Sequence, residues 1–364
     1  MLKEQISDKE GIILLLMFII GTTMIIGAGG NAKNDAWISA ILATVFFIPM
    51  LLIYSRLLSI FPGKDLFDIF GIVFGKVTGK ILSAIYIWYG FHLGGIVLRN
   101  FGEFVTVVAL PETPMFVSLF CLGLVCIAAV YLGVEVISRT ASVFAPLIIF
   151  FTALVFILGM TQLRLNYLQP ILGNGLTPVL KGGFITFSFP MAETVLFLCI
   201  FSSLQTKKSP KKVYIWGTLI ASSMIIITTI RNIAVLGNLT ENFYFSSYAA
   251  TSRIRIGTFI QGVEVTVSFI FIFSVFVKCA VCLLATCKGI AKVFNLKDYR
   301  SIVIQTGLLM IYFSYIVYHT IIEMTYWTME IYPYYTFPMQ VIIPTITWFV
   351  AEIKKSRNLL EMGK

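Results

Sequence analysis

The stretch at 181–203, KGGFITFSFPMAETVLFLCIFSS, decides the fold. Its length and apolarity predict a membrane-spanning helix. Pro190 lies near its middle, removes one backbone donor and clashes with the preceding turn, so we expect a break or kink there. Glu193 follows within one turn, and a carboxylate beside a break inside the membrane indicates a functional site. The structural alternative is a proline kink with a neutral Glu193 bonded to a neighbouring helix.

The composition predicts a polytopic membrane protein. The chain of 364 residues is 58% hydrophobic and only 12% charged, with a mean hydropathy of +0.93, whereas soluble domains have about 25% charged residues. The net charge of +10 would suggest nucleic acid binding in a soluble chain, but in a membrane protein its distribution reports topology, so we expect no nucleic acid partner. The six cysteines lie in or beside apolar stretches and are expected to be core thiols. We expect no metal and no cofactor.

The apolar stretches predict ten transmembrane helices within a single integral membrane domain covering residues 1–364. This all-α arrangement leaves no room for a soluble catalytic domain, and we expect that the protein is not an enzyme. The predicted helices cover residues 12–30, 36–60, 81–101, 115–133, 141–160, 183–203, 213–236, 256–285, 301–322 and 335–350.

The positions of the lysines and arginines predict the orientation. If both termini are cytoplasmic, 19 of the 27 basic residues lie on the inner side and five on the outer side, with three inside helices. Cytoplasmic loops carry an excess of Lys and Arg. The sequence therefore predicts two cytoplasmic termini.

The ten predicted helices divide into two halves of five, and the first helix of each half is interrupted. Predicted helix 1 contains a glycine cluster at 27–30, where each glycine disfavours helix by about 1 kcal/mol, and predicted helix 6 contains Pro190. With five helices per half, the halves enter the membrane from opposite sides. Paired discontinuous helices in inverted halves indicate a transporter-like binding site. Helix N-termini suit a carboxylate and unwound carbonyls suit an ammonium group, so the pattern favours a zwitterionic amino acid.

Short motifs along nearly the whole chain resemble the GerAB family of spore-germination permeases, the B subunits of GerA-type nutrient germinant receptors. Their order and spacing, together with the ten-helix layout, carry the resemblance. The motifs are IGAG at 26–29, DAWI at 35–38, FPGK at 61–64, LPETP at 110–114, GVEVISR at 133–139, PILGNG at 170–175 and FPMAE at 189–193.

The resemblance implies a LeuT-like fold, since that family is similar to the amino acid–polyamine–organocation transporters. It implies a nutrient-sensing subunit in the inner spore membrane that binds a small germinant, most simply an amino acid, together with an A-type membrane subunit and a C-subunit lipoprotein, in contact with membrane lipid. We expect the ligand between predicted helices 1 and 6. The expected ligand-binding residues are Thr22, Gly27, Ala28, Gly29, Tyr89, Ser188, Phe189 and Glu193.

Three further polar residues are possible pocket or coupling groups. Glu264 either faces the pocket or forms an outer structural pair. Lys278 either replaces a sodium ion by its own charge or, as we expect, extends its ammonium group toward the inner surface. His92 is either a proton-linked switch or a hydrogen-bonded core histidine. Glu264 and Lys278 lie about 21 Å apart along one helix, so they cannot pair directly.

The sequence leaves rival functions open. An ion- or proton-coupled amino acid permease that transports its ligand would keep the same site. An intramembrane enzyme would need a convergent catalytic set, and His92 and His319 are the only histidines in the sequence. A purely structural subunit would keep the fold and lose ligand dependence.

Overall fold

The computed structural model describes residues 4–204, 206–254 and 262–356, and these are almost entirely helical. Residues 256–261 of the eighth predicted helix therefore lie outside the described residues. The helices are α1 Asp8–Ile26, α2 Ala36–Ile60, α3 Leu66–Phe74, α4 Lys76–Phe104, α5 Met115–Leu132, α6 Val134–Gly159, α7 Leu176–Thr186, α8 Ser209–Leu236, α9 Ser246–Thr251, α10 Glu264–Val293, α11 Val303–Ile316, α12 Ile321–Tyr326, α13 Tyr332–Phe337 and α14 Ile343–Ser356.

Nine helical segments within the described part of the chain are long and apolar enough to cross a membrane. The ninth predicted helix differs from the expected 301–322. It is α11, of only 14 residues, preceded by the 3₁₀ turn Tyr299–Ile302. The short amphipathic segment α3 lies before α4 on the inner side of the predicted topology.

The last segment is longer than predicted. Residues Ile321–Ser356 form one continuous helical segment of 36 residues rather than a helix over 335–350. Two π turns, Trp327–Ile331 and Pro338–Ile342, interrupt its α-helical geometry. Tyr332, within the aromatic-rich stretch 326–335, is buried in the core.

The first interruption lies at the end of α1. This helix ends at Ile26, four residues before the predicted boundary at residue 30. Gly27 and Gly29 have φ angles of 95° and 94°, a region in which side chains other than glycine are strained. The Gly29 amide donates to Thr186 Oγ1 at 2.9 Å, and Ser246 Oγ donates to the Ile26 carbonyl at 2.9 Å. Side chains from other helices therefore satisfy the backbone groups that the break frees.

The second interruption confirms the predicted break at the proline. After α7, a π turn covers Phe187–Met191, and Phe189 has the non-helical angles φ −131° and ψ 110°. A 3₁₀ segment, Ala192–Cys199, then continues the chain through the core. This break lies against α1, α2 and α13.

Very close backbone packing joins the two interrupted helices. Gly182 in α7 faces the Gly29 carbonyl, and a Cβ atom built at Gly182 would lie 2.1 Å from that oxygen. A contact this short requires glycine. The first break is thus held against α7, the helix that leads into the second break.

We predict that Gly182→Ala separates the two breaks and destabilises the protein by about 1–3 kcal/mol, as overpacking does elsewhere. The measurement is the thermal unfolding midpoint of the purified protein in detergent. Gly71→Ala in α3 is the control, because a Cβ atom at Gly71 meets nothing within 4 Å. Equal midpoints for the two variants would contradict the proposed close contact.

Candidate functional site

A fully buried ion pair lies beside the second break. Lys278 Nζ in α10 is 2.5 Å from Glu193 Oε2, and both side chains are completely inaccessible to solvent. The two groups are close enough for an ion pair, although their alignment is not that of a hydrogen bond. A buried charge in a membrane span needs a partner, and here each residue supplies it for the other.

Aromatic rings and a glycine surround the Lys278 side chain. Its Nζ lies 4.4 Å from the centre of the Phe189 ring and 5.2 Å from that of Phe18, distances at which aromatic faces attract a cation. A Cβ atom at Gly21 of α1 would lie 2.9 Å from Lys278 Cδ, so this glycine makes room for the lysine stem. The expectation that Lys278 extends toward the inner surface is therefore wrong, because its carboxylate partner lies in the core.

The last helical segment completes the site with two residues that the sequence analysis missed. The Tyr332 hydroxyl donates to Glu193 Oε1. Gln340 Nε2 donates to the Ser188 carbonyl and to the Tyr89 hydroxyl, both at 2.9 Å, while Ser188 Oγ donates to Gln340 Oε1 at 3.1 Å. Gln340 could have been predicted as a site residue, because it is a polar amide within an apolar span.

An open pocket of about 520 Å³ lies at the first break, apart from the buried pair. Gly27 and Ala28 line its floor, and Ser246 lies beside them. At its rim, Lys33 Nζ is 3.6 Å from Glu241 Oε1, and these side chains are 50% and 36% exposed. Cavities of about 300–1,000 Å³ are typical of small-molecule sites.

The predicted site residues therefore fall into two groups rather than one pocket. Glu193 forms the buried pair with Lys278, and Phe189 lies beside it. Ser188 and Tyr89 are both hydrogen-bonded to Gln340, whereas Gly27 and Ala28 line the open pocket. Gly29 connects the groups through its bond to α7. Thr22 is buried in α1 next to Gly21, and its hydroxyl has no hydrogen-bond partner within the described ranges.

Two of the possible coupling residues lie elsewhere. Glu264 is the first residue of α10, 14 positions from Lys278 and partly exposed. His92 packs among aromatic rings, including Trp88 at 5.5 Å and Trp327 at 5.1 Å between ring centres. Its Nδ1 atom has no partner in the part of the chain that the structure describes, which does not support the hydrogen-bonded alternative.

Lys278 of α10 places its ammonium group between α1 and the break at Phe187–Met191, where it acts as a cation that belongs to the protein itself. The described residues contain no group of three or more His, Cys, Asp or Glu side chains that could hold a metal ion. Charge neutralisation of Glu193 instead comes from Lys278, with a hydrogen bond from Tyr332.

Solved structures of transporters share this fold. Mhp1, a nucleobase-cation-symport-1 family transporter solved with bromovinylhydantoin bound, matches with a TM-score of 0.66 and 13% identity over 98% of this chain and 92% of that chain. MhsT in complex with L-phenylalanine matches with a TM-score of 0.60 and 12% identity over 97% of this chain and 89% of that chain. The predicted LeuT-like, all-α membrane fold is therefore confirmed.

Sequence comparison gives the family. Spore germination protein KB of Bacillus subtilis (strain 168) is 27% identical over 100% of this chain and 98% of its own length. Spore germination protein B2 of the same organism is 25% identical over 97% of each chain. The family model described as "Spore germination protein" matches residues 5–347. The chain belongs to this family of spore germination proteins.

Proposed function

We propose that this membrane protein is the nutrient-sensing subunit of a spore germinant receptor. It acts in the inner spore membrane with an A-type membrane subunit and a C-subunit lipoprotein, and both of its termini lie on the cytoplasmic, core side. Membership of the spore germination family supports the role. The excess of lysine and arginine on the predicted inner side supports the orientation.

The open pocket at the first break carries the proposal. The pocket has the volume of a small-molecule site and lies where the α1 backbone is interrupted, next to the close contact between Gly29 and Gly182 of α7. A germinant bound there contacts both α1 and the last helical segment, because Ile321, Thr325 and Met329 form the opposite wall.

The chemistry of the pocket favours an amino acid with an apolar side chain. Lys33 and Glu241 place one positive and one negative group at the rim, which complements a zwitterion. Their mutual pairing is weak, as expected for exposed charges, so a ligand carboxylate and ammonium can replace it. Ile26, Ile322 and Met329 supply an apolar lining for the side chain.

The buried pair is the element that we propose reads ligand binding. Gly21, against which the Lys278 stem packs, lies six residues before Gly27, or roughly 9 Å along α1. A shift of α1 on ligand binding therefore changes the packing around Lys278 and Glu193. Glu193 also accepts a hydrogen bond from Tyr332 of the last helical segment, so the change in packing reaches that segment as well as α1 and α10.

An ion- or proton-coupled amino acid permease is the second candidate. The likeness to transporter structures favours it, since a sensing subunit and a permease can share one site. Reconstituted vesicles that contain this chain alone distinguish the two. Ligand-dependent uptake of labelled amino acid would favour the permease, and saturable binding without uptake would favour the sensor.

We predict that apolar amino acids stabilise the purified protein, while sugars and nucleosides do not. A ligand at 100 times its dissociation constant stabilises the folded state by about 2.7 kcal/mol. The measurement is the thermal unfolding midpoint against a nutrient panel, for the chain alone and for the assembled receptor. Lys33→Gln and Glu241→Gln are expected to abolish the shift.

The matched control is the pair Lys181–Glu330, which is similarly half-exposed at 2.8 Å but does not line the pocket. Lys181→Gln should keep the ligand-induced shift. If Lys33→Gln and Glu241→Gln also keep it, the pocket assignment is wrong. If no nutrient shifts either the chain or the complex, the sensing role itself is wrong.

We predict that Lys278→Met destabilises the protein by about 3–5 kcal/mol, because it leaves a buried carboxylate without its countercharge. The double variant Glu193→Gln/Lys278→Met should recover most of this loss and should no longer support germination in spores. Thermal unfolding and nutrient-triggered germination measure the two effects.

The buried pair Arg99–Glu103, 2.8 Å apart within α4, is the control for charge removal. Arg99→Met/Glu103→Gln should change stability without abolishing the nutrient response. A folded Glu193→Gln/Lys278→Met variant that germinates normally would contradict the role of the central pair.

A further inference from the structure

Arg231 in α8 is a buried cation whose charge is not matched. Only 4% of the residue is exposed, yet within the described ranges its guanidinium donates only to Asn232 Oδ1, at 2.7 Å from Nη2 and 3.2 Å from Nε. The other buried cations differ, since Arg99 pairs with Glu103 and Lys278 with Glu193. The undescribed stretch 255–261 contains no Asp or Glu in the sequence.

A second buried donor meets Arg231 at a small cavity between α1, α6, α8 and α10. Arg231, Thr228 and Met24 all line it. The Thr228 hydroxyl donates only to the Met24 thioether sulfur at 3.6 Å, a weak acceptor. The cavity of about 10 Å³ accommodates about one water molecule. Two buried donors, one of them charged, thus line a cavity whose lining contains no carboxylate.

A guanidinium remains protonated in proteins, so deprotonation cannot relieve its burial. A water molecule could accept its hydrogen bonds but could not balance its charge. We propose that Arg231 and Thr228 bind a small monovalent anion in this cavity. The flexible Met24 side chain moves aside to enlarge the space and releases the Thr228 hydroxyl toward the anion.

The anion site adjoins the end of α1. Asn232, which holds the Arg231 guanidinium, donates to Ser247 Oγ at 2.8 Å and to Ser246 Oγ at 3.4 Å. Ser246 in turn donates to the Ile26 carbonyl at the first break. An anion on Arg231 is therefore connected by hydrogen bonds to the backbone at the pocket. The anion is an inorganic halide, because the nutrient carboxylate is assigned above to the separate pocket at Lys33.

The test compares thermal unfolding in sodium chloride, sodium bromide and sodium gluconate at equal ionic strength, because gluconate is too large for the cavity. Chloride and bromide should raise the midpoint of the unmodified protein by about 2 °C or more. Arg164→Gln, which removes a loop arginine hydrogen-bonded to Tyr167, should keep this rise. Arg231→Gln should lose it.

A second arm identifies the source of the anion. In gluconate, an amino acid and its amide are compared. A halide effect without nutrient would assign the site to an inorganic ion, whereas a shift that needs both the nutrient carboxylate and Arg231 would contradict this assignment.

Crystals of the unmodified protein soaked in bromide give a direct readout that does not depend on how Arg231→Gln folds. We expect an anomalous peak within hydrogen-bonding distance of the Arg231 guanidinium. The proposal is overturned if no such peak is found and no halide produces a shift that depends on Arg231.

Discussion

The ion pair between Glu193 and Lys278 determines how the broken helix, α1, α10 and the last helical segment pack together. Water is absent from the middle of a bilayer, so each charge requires the other within direct reach. That requirement fixes the broken helix against α10. It also explains Gly21, since a side chain there would collide with the lysine stem. Through the Tyr332 hydroxyl, the last helical segment is tied to the same point.

A second requirement is the satisfaction of backbone groups where helices are interrupted. In the membrane interior, these groups must be paired with protein or with a wet cavity. Here polar side chains from distant elements take that role, with Thr186 and Ser246 at the first break and Gln340 at the second. The breaks therefore join helices that would otherwise contact one another only through apolar packing.

The sequence was sufficient for the features that depend on local chemistry. Glycine and proline mark both breaks because their effects on the backbone are intrinsic, and apolar runs mark most spans. The prediction for Lys278 was wrong because its partner, Glu193, lies 85 positions away in the sequence. The local sequence pattern does not show which helices contact each other across the bundle. Tyr332 was missed since residues 326–335 are rich in aromatic and polar groups that resemble an interface. Only packing places that tyrosine in the core.

The separation of Glu193 and Lys278 along the chain has a consequence for biosynthesis. At translation rates of about 5–20 residues per second, the lysine is made roughly 4–17 seconds after the glutamate. During this interval the carboxyl group enters the translocon without its countercharge. Tyr332 is made later still. The broken helix that carries Glu193 thus cannot reach its final packing until α10 has been inserted.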